Sequence, residues 1–227
     1  MADDREKALR YAPQIMFDER EPFMPRFIGT SILRSSGRSP SFRRSIEVPR
    51  GGFAVEYAVF WDWDIQHLYD LEHLWVFVDA EGAVADAEGS FHGQYIKILL
   101  PDRSNLSGDR VVAYSQPGKH AFAPLPVIFQ LLPDFAFATG AGAGLEGALV
   151  TGPLEGRVAK EGWWDDAARE YLRARAFEPA LEYRPYHPDP ELFVTWEELD
   201  AALPSLFSGL TEDLAARRRC GRSGQWR

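Results

Sequence analysis

The sequence lacks the features that mark secreted and membrane-spanning proteins. Its 227 residues include a single cysteine, Cys220, so neither a disulfide framework nor a cysteine metal cluster can form within the chain. No apolar run approaches the roughly 20 residues that span a bilayer, and the N-terminus MADDREKALRYAP is charged where a secretory signal would be apolar. We therefore predict a soluble, cytoplasmic protein without a transmembrane segment. A mature form with a trimmed leader fits the same sequence.

Basic residues are fewer than acidic ones. The chain has 25 Lys and Arg side chains against 34 Asp and Glu, a formal net charge of -9, which repels nucleic acid and anionic lipid at long range. We expect no nucleic-acid partner, and the sequence does not indicate an oligomeric state. Because thiolates are missing, any metal has to be held by imidazole and oxygen ligands.

Alternating hydrophobicity is what the sequence does contain. In FAVEYAVFWDW, residues 53–63, bulky aromatic and β-branched residues alternate with smaller ones, as in a β-strand. Further strands are predicted at 71–79, 95–100 and 110–115, joined by polar turns. Short strands with polar turns and no helices between them favour an antiparallel β-sandwich over a parallel sheet.

Helical spacing appears near the C-terminus. It predicts a helix over 163–177 and one or two terminal helices that break near Pro204 and Gly209. These helices make 160–220 a helical elaboration of a mainly β fold. The glycine-rich stretch 139–152 lacks the lysine of a phosphate-binding loop, and close-packed backbone or a flexible loop is the better interpretation.

The apolar content of 45% is enough for one sizeable core. We therefore predict a single domain over residues 1–227. In residues 1–50, serine, glycine, proline and arginine interrupt any regular hydrophobic period. We therefore predict that these residues form an extended segment that wraps the domain.

Carboxylates and imidazoles are concentrated in WDWDIQHLYDLEH, residues 61–73. In an extended strand Asp70 and Glu72 project from one face, with His67 just upstream. Carboxylates this close repel one another and raise at least one pKa unless a cation neutralises them, which predicts a divalent-ion site. Asp62 or Asp64 could add an oxygen, and Asp62 is preferred because it shares the small-residue face of its strand. The alternative is a polar loop whose Asp and His residues serve only as turns and caps.

The segment HLYDLEHLWVFV resembles a known motif. His67, Asp70 and Glu72 align with the G-H-R-H-D-W-E heptapeptide of the necrosis-inducing proteins of plant pathogens, an arrangement shared with the related vacuolar-sorting family named after yeast protein sixty-two. Three further segments are similar to family segments in the same order, at residues 11–25, 90–95 and 114–122. Gln66, Tyr69 and Leu71 differ from the heptapeptide.

The resemblance implies a β-sandwich with a divalent cation. Its ligands, direct or through water, would be Asp62, His67, Asp70, Glu72 and His120. The single cysteine cannot form the family's disulfide, and the charged N-terminal residues lead us to expect no secretion signal.

Two further histidines have distinct predicted roles. His92 in SFHGQY is predicted to line the pocket as a general base, with a structural role equally open. His73 follows Glu72 and therefore points to the opposite face of the strand, as a hydrogen-bonded core residue.

Two functions follow from these predictions. The first is a protein that binds Mg²⁺, Ca²⁺, Mn²⁺ or Zn²⁺ and, through the metal, a polar small molecule, a sugar or a headgroup. The alternative is a metal-dependent hydrolase of phosphates or esters, with His92 or His120 as the base. A third hypothesis is an ion that only stabilises the strand ends and binds no ligand. Three or fewer protein ligands would favour catalysis by the bound ion, whereas five or six would favour a structural ion or ligand binding. Whether the protein is an enzyme stays open.

Overall fold

The computed structural model describes residues 2–221, so most of the basic C-terminal tail and the side chain of Cys220 lie outside the described residues. The strands are β1 (Gln14–Asp18), β2 (Phe27–Leu33), β3 (Gly37–Arg38), β4 (Ser45–Ile46), β5 (Phe53–Trp63), β6 (Leu68–Val78), β7 (Val84–Phe91), β8 (Gln94–Lys97), β9 (Leu106–Ser107), β10 (Arg110–Ser115), β11 (Phe122–Ala123), β12 (Tyr183–Pro185) and β13 (Phe193–Thr195). The α-helices are α1 (Ala2–Arg10), α2 (Val127–Gln130), α3 (Phe135–Thr139), α4 (Trp164–Arg173) and α5 (Trp196–Gly221), and short 3-10 helices cover Gly152–Leu154 and Pro190–Leu192.

Two sheets form the sandwich. The larger has the order β13-β2-β5-β6-β7-β8, and the smaller has the order β11-β10-β1-β12 with β9 added beside β10. Strands β3 and β4 pair separately. The predicted mainly β sandwich is confirmed, but each large sheet is mixed, because β1 pairs with β10 and β13 pairs with β2 in parallel. Both parallel pairs join strands far apart in sequence, which leaves enough chain for the crossover that a parallel pair requires.

Strand β5 has the bounds predicted from its alternation, and its bulky face lies between the sheets. Trp61 packs edge-on against Phe17 of β1 and at a tilt against Phe122 of β11, with ring centroids 6.4 and 6.3 Å apart. The opposite face of β5 is also buried. Ala54 and Phe60 are 0% and 1% exposed, so the larger sheet is covered on both faces. Such double burial explains the low polarity of β5.

Helix α5 and the segment before β5 cover the outer face of the larger sheet. Gly29 of β2 permits the close approach of the helix, because a Cβ at this position would lie 2.9 Å from Leu199 Cδ2. Farther along the sheet Ile46 packs with Trp75 and Phe77 in a small separate cluster.

The predicted break in the C-terminal helix is wrong, since α5 runs through both Pro204 and Gly209. Pro204 has no N–H for the carbonyl of Asp200 four residues earlier. The guanidinium of Arg157 supplies the missing donor, with Nη2 2.6 Å from that carbonyl oxygen and Nη1 2.6 Å from the Asp200 carboxylate. A tertiary contact thus compensates for the lost helical hydrogen bond.

Residues 1–50 contribute α1 and β1 to β4. Strand β1 lies between β10 and β12, and β2 lies between β5 and β13, so this segment takes part in both large sheets. The helix predicted over 163–177 is present as α4. None of the helices in the described part of the chain is both long and apolar enough to cross a membrane.

Candidate metal centre

Three potential ligands meet where β5 and β6 are joined. One oxygen of Asp64, one oxygen of Asp70 and a ring nitrogen of His120 lie within 4.8 Å of one another. Asp64 and His120 are buried, and Asp70 is partly exposed. Two carboxylates and an imidazole are a donor set that suits Mg²⁺, Mn²⁺, Ca²⁺ or Zn²⁺.

A tight turn after β5 positions Asp64. Its backbone N–H donates to the carbonyl of His67 (3.0 Å), and its Oδ1 accepts from the N–H of Gln66 at 2.6 Å. The glycine-rich segment supports this turn from outside, because Gly144 donates to the Ile65 carbonyl at 2.8 Å. Of the two interpretations left open for this segment, close-packed backbone and a flexible loop, the first describes its contact with the turn.

A second turn, residues 116–121, brings His120 to Asp70. The N–H of His120 donates to the Gln116 carbonyl at 2.8 Å, and His120 has a φ of 59°. A non-glycine residue rarely adopts this conformation, which costs energy and is often retained where function requires it. The Gly118 carbonyl accepts from the N–H of Ile65 at 2.7 Å, so the two turns that carry the donors are hydrogen-bonded to each other.

His120 lies between two carboxylates. Its Nδ1 is 3.0 Å from Asp70 Oδ2, and its Nε2 is 3.5 Å from Glu21 Oε1 without a hydrogen bond to any described residue. The ring is 0% exposed and stacks on Trp61, with centroids 4.4 Å apart. Burial opposes protonation, but contacts with Asp70 and Glu21 prevail and raise the pKa of His120 to about 10. A metal ion that binds this imidazole must therefore displace a proton.

In Asp64, too, the neighbouring charges outweigh burial, but here they lower the pKa. Burial alone would raise its pKa, but the positive charges that His67, Lys119 and His120 can carry hold the pKa of Asp64 below its ordinary value. Lys119 makes the closest of these contacts, with Nζ 2.9 Å from Asp64 Oδ2. The carboxylate is thus ionised and already paired with the Lys119 ammonium.

Glu72 shares the inner face of β6 with Asp70 and accepts a hydrogen bond from the Ser90 hydroxyl. Burial, followed by repulsion from Asp70, raises the pKa of Glu72 to about 8. The repulsion between crowded carboxylates that the sequence indicates is thus present, but burial is the larger cause of this shift. Glu72 lies outside the three-donor set, which leaves its role as a ligand a prediction.

His67 lies at the edge of the cluster. Its Nε2 is 3.8 Å from Asp64 Oδ2, and its Nδ1 is 2.8 Å from the carbonyl oxygen of Tyr69. With Nδ1 engaged by the backbone, Nε2 is the nitrogen that faces the acids. Its role as a ligand also stays a prediction.

Asp62 occupies a different place from Asp64. Trp61 pairs with Asp70 across β5 and β6, so both point to the inner face while Asp62 points to the outer face. There its carboxylate accepts two hydrogen bonds from Arg26 Nη1, at 2.8 and 3.0 Å. The structure therefore brings Asp64 to the cluster and places Asp62 on the other side of the sheet.

His92 is exposed in the two-residue turn between β7 and β8. His92 and Gly93 have φ values of 50° and 76°, the pattern of a type I′ hairpin turn. The ring packs edge-on against Phe91, with centroids 4.8 Å apart. No hydrogen bond within the described residues links His92 to the cluster, and its catalytic role stays a prediction.

His73 lies on the outer face of β6, as predicted, and is 2% exposed. Its ring stacks on Trp75 and tilts against Phe42. Neither ring nitrogen has a hydrogen-bond partner among the described residues, so the expected hydrogen bond is not found. Burial lowers the pKa of His73 to about 3, and the Ser41 backbone opposes this shift only in part.

A cavity of about 850 Å³ lies next to the cluster. His67 and Asp70 are among its lining residues, together with Tyr69, His73 and Trp196. Cavities of this size with aromatic walls and a few polar groups are typical of small-molecule sites. The cavity therefore gives a ligand access to the edge of the metal centre.

Sequence reasoning missed two members of the cluster. Glu21 stands in an acidic loop more than forty residues before β6 and has no local signal. Lys119 comes directly before the predicted ligand His120, and this position was the one signal in the sequence that Lys119 could lie near the site. Both residues reach the site only because the sheets pack against each other.

No protein-family model matches the chain, and no curated protein matches its sequence. Among solved structures, NLPPya in complex with glucosamine is 17% identical, with 54% of this chain and 67% of that chain covered and a TM-score of 0.39. NLPPya in complex with mannosamine is also 17% identical, covering 53% and 66% with a TM-score of 0.36. Necrosis and Ethylene inducing Protein 2, from the causal agent of cocoa's Witches Broom disease, is 16% identical, covering 61% and 81% with a TM-score of 0.35.

The name of the third structure is that of the family whose motif the sequence resembles. Only about half of this chain aligns with NLPPya, and the chain spans about two thirds of the length of those structures. Likeness at this level carries no argument about ligands or residue roles.

Proposed function

We propose that this protein binds a divalent cation through Asp64, Asp70 and His120, and that the cation helps to hold a polar small molecule or carbohydrate in the adjoining cavity. The single observation that carries the proposal is the meeting of three donor atoms within 4.8 Å, one of which belongs to Asp70, a residue that also lines that cavity. Glu72 and His67 lie close enough in the fold to assist, either directly or through water.

The buried Nε2 of His120 supports this proposal. It has no hydrogen-bond partner among the described residues, and a buried polar atom without a partner is costly unless something satisfies it. Whichever ring nitrogen coordinates the ion, the carboxylates of Asp70 and Glu21 can orient the ring. When bound, the ion would act as a Lewis acid toward an oxygen of the ligand.

The walls of the cavity support a ligand with both polar and apolar faces. Tyr69 and Trp196 offer aromatic surface, while Asp70 and Thr151 offer oxygen atoms. Pyranose sugars combine an apolar face with hydroxyl groups, and an amino sugar adds a positive charge that suits an acidic site.

A metal-dependent hydrolase is the second candidate, favoured by one observation. Only three donors meet within the described residues, which leaves coordination positions for water. Ligand binding is preferred because neither of the two predicted bases is free beside the cluster: His120 is engaged with Asp70, and His92 lies in an exposed turn.

The test begins with protein freed of metal by a chelator. Mg²⁺, Ca²⁺, Mn²⁺ and Zn²⁺ are titrated in turn by calorimetry, and binding of glucosamine and glucose is then followed by ligand-observed NMR with and without the bound ion. We expect ion uptake and ion-dependent sugar binding, both weakened by Asp70→Asn. Asp86→Asn, which removes an acid that pairs with Lys97 outside the site, is the matched control.

Absence of uptake of all four ions by the wild-type protein would refute the proposal. Ion uptake without sugar binding would leave only the metal-binding part of the proposal. Ion-dependent hydrolysis of p-nitrophenyl phosphate or acetate, lost in Asp70→Asn, would favour the hydrolase instead.

A further inference from the structure

Lys119 lies in the metal centre without being one of its donors. Its Nζ is 3.0 Å from Asp64 Oδ1 and 2.9 Å from Oδ2, so one ammonium group contacts both oxygens of a carboxylate that the ion would need. The two side chains are 13% and 1% exposed. At this degree of burial, water screens the contact much less than it screens a surface ion pair.

The turn that carries Lys119 is fixed on both sides. Ile65 donates its N–H to the Gly118 carbonyl at 2.7 Å, and the Gly118 N–H donates to Glu21 Oε2 at 2.7 Å. The backbone of Lys119 therefore cannot retreat without moving His120, the next residue. Only the lysine side chain is free to withdraw when an ion arrives.

We propose that Lys119 is an internal counter-ion, whose ammonium neutralises Asp64 in the ion-free protein and lowers the affinity of the site for divalent cations. The inference rests on the proposed function, because it concerns the same site. Even with the screening of bulk water, a unit positive charge about 5 Å from a divalent ion weakens its binding more than about tenfold. The lysine thus stabilises the empty site and lowers its affinity for each of the divalent ions.

The experiment compares the full-length wild-type protein with Lys119→Gln and Lys119→Arg. Glutamine keeps a donor for Asp64 but removes the charge, whereas arginine keeps the charge. In calorimetric titrations with each of the four ions at low ionic strength, we expect Lys119→Gln to bind at least about tenfold more tightly than the wild type. Lys119→Arg should bind no more tightly. Lys97→Gln removes a lysine outside the site and controls for net charge.

The outcomes separate this inference from the proposed function. Equal or weaker ion binding by Lys119→Gln overturns the role of Lys119, while uptake by the wild type leaves the proposed function intact. If no variant binds an ion, the proposed function itself fails. Lys119→Gln leaves Asp64 uncompensated, so thermal unfolding is measured as well. Added ion should raise the Tm of Lys119→Gln more than that of the wild type, and an equal or smaller rise also counts against the proposal.

Discussion

Replacement of Asp64 by asparagine tests the cluster most directly, and Asp62→Asn is its matched control two residues away. Asparagine keeps an oxygen for the Gln66 N–H but offers no charge to Lys119. Removal of one member of a buried ion pair costs about 3–5 kcal/mol. Because the Lys119 side chain is 13% exposed and can turn toward water, we expect Asp64→Asn to cost about 3 kcal/mol, the lower end of that range.

The control should behave differently for a structural reason. Asp62 pairs with Arg26 at the surface, where the two side chains are 29% and 42% exposed. Such pairs contribute less than about 1 kcal/mol. For the ion, Asp64→Asn replaces one of two anionic donors by a neutral amide and should weaken binding at least about tenfold, whereas Asp62→Asn should leave affinity unchanged.

Urea denaturation in chelator measures the first effect, and calorimetric titration of the ion measures the second. The reasoning fails if the two variants are equally stable, or if Asp62→Asn loses the ion while Asp64→Asn retains it. The second result would place the metal near Asp62, the ligand preferred from the sequence.

Three other perturbations test the packing that builds the site. His73 has a pKa of about 3 when folded and about 6.5 when unfolded, so the unfolded chain binds the extra proton between these values and stability falls as pH drops. From pH 7 to pH 5, His73→Phe should gain about 2 kcal/mol relative to the wild type. Gly118→Ala places a Cβ 2.8 Å from an Ile65 methyl and should destabilise the protein more than Gly108→Ala, which has a similar positive φ and open space. Arg157→Ala should cost about 1 kcal/mol, and less in a Pro204→Ala background, where the helix supplies its own donor.

Urea denaturation measures all three, with outcomes that would contradict the reasoning. A constant stability difference between His73→Phe and the wild type across pH 5 to 7 would mean that His73 is not buried as described. Equal losses at the two glycines would show that the contact with Ile65 does not constrain the turn. An unchanged cost of Arg157→Ala in the Pro204→Ala background would remove the compensation inferred for α5.

The fold was predictable where a local pattern repeats. Strand β5 alternates over all eleven residues, and its bounds agree with the prediction. The position of His73 opposite Glu72 followed from the same period of two. The continuity of α5 was not predictable, because the residue that compensates for Pro204 lies more than forty positions upstream in an irregular segment.

The candidate metal centre was predictable in part. The concentration of acids and histidines before β6 pointed to the part of the molecule where Asp64, Asp70 and His120 meet, and His120 followed from the family resemblance. Asp62 was preferred over Asp64 because it lies on the small-residue face of β5. It does lie on that face, but the face points away from Asp70. Asp64 lies just beyond the strand, where the chain turns and alternation no longer predicts direction.

The sequence by itself determined which segments are extended, which side chains share a face, and that any metal ligands must be oxygen and nitrogen. These properties depend on neighbours a few residues apart. Only the tertiary structure decided that Glu21, Lys119 and His120 meet Asp64 and Asp70, because that meeting depends on how two sheets pack and two turns hydrogen-bond. His120 and Asp70 are 50 residues apart in the chain. No short-range pattern specifies such a contact, since it arises from burial of the Trp61 face between the sheets.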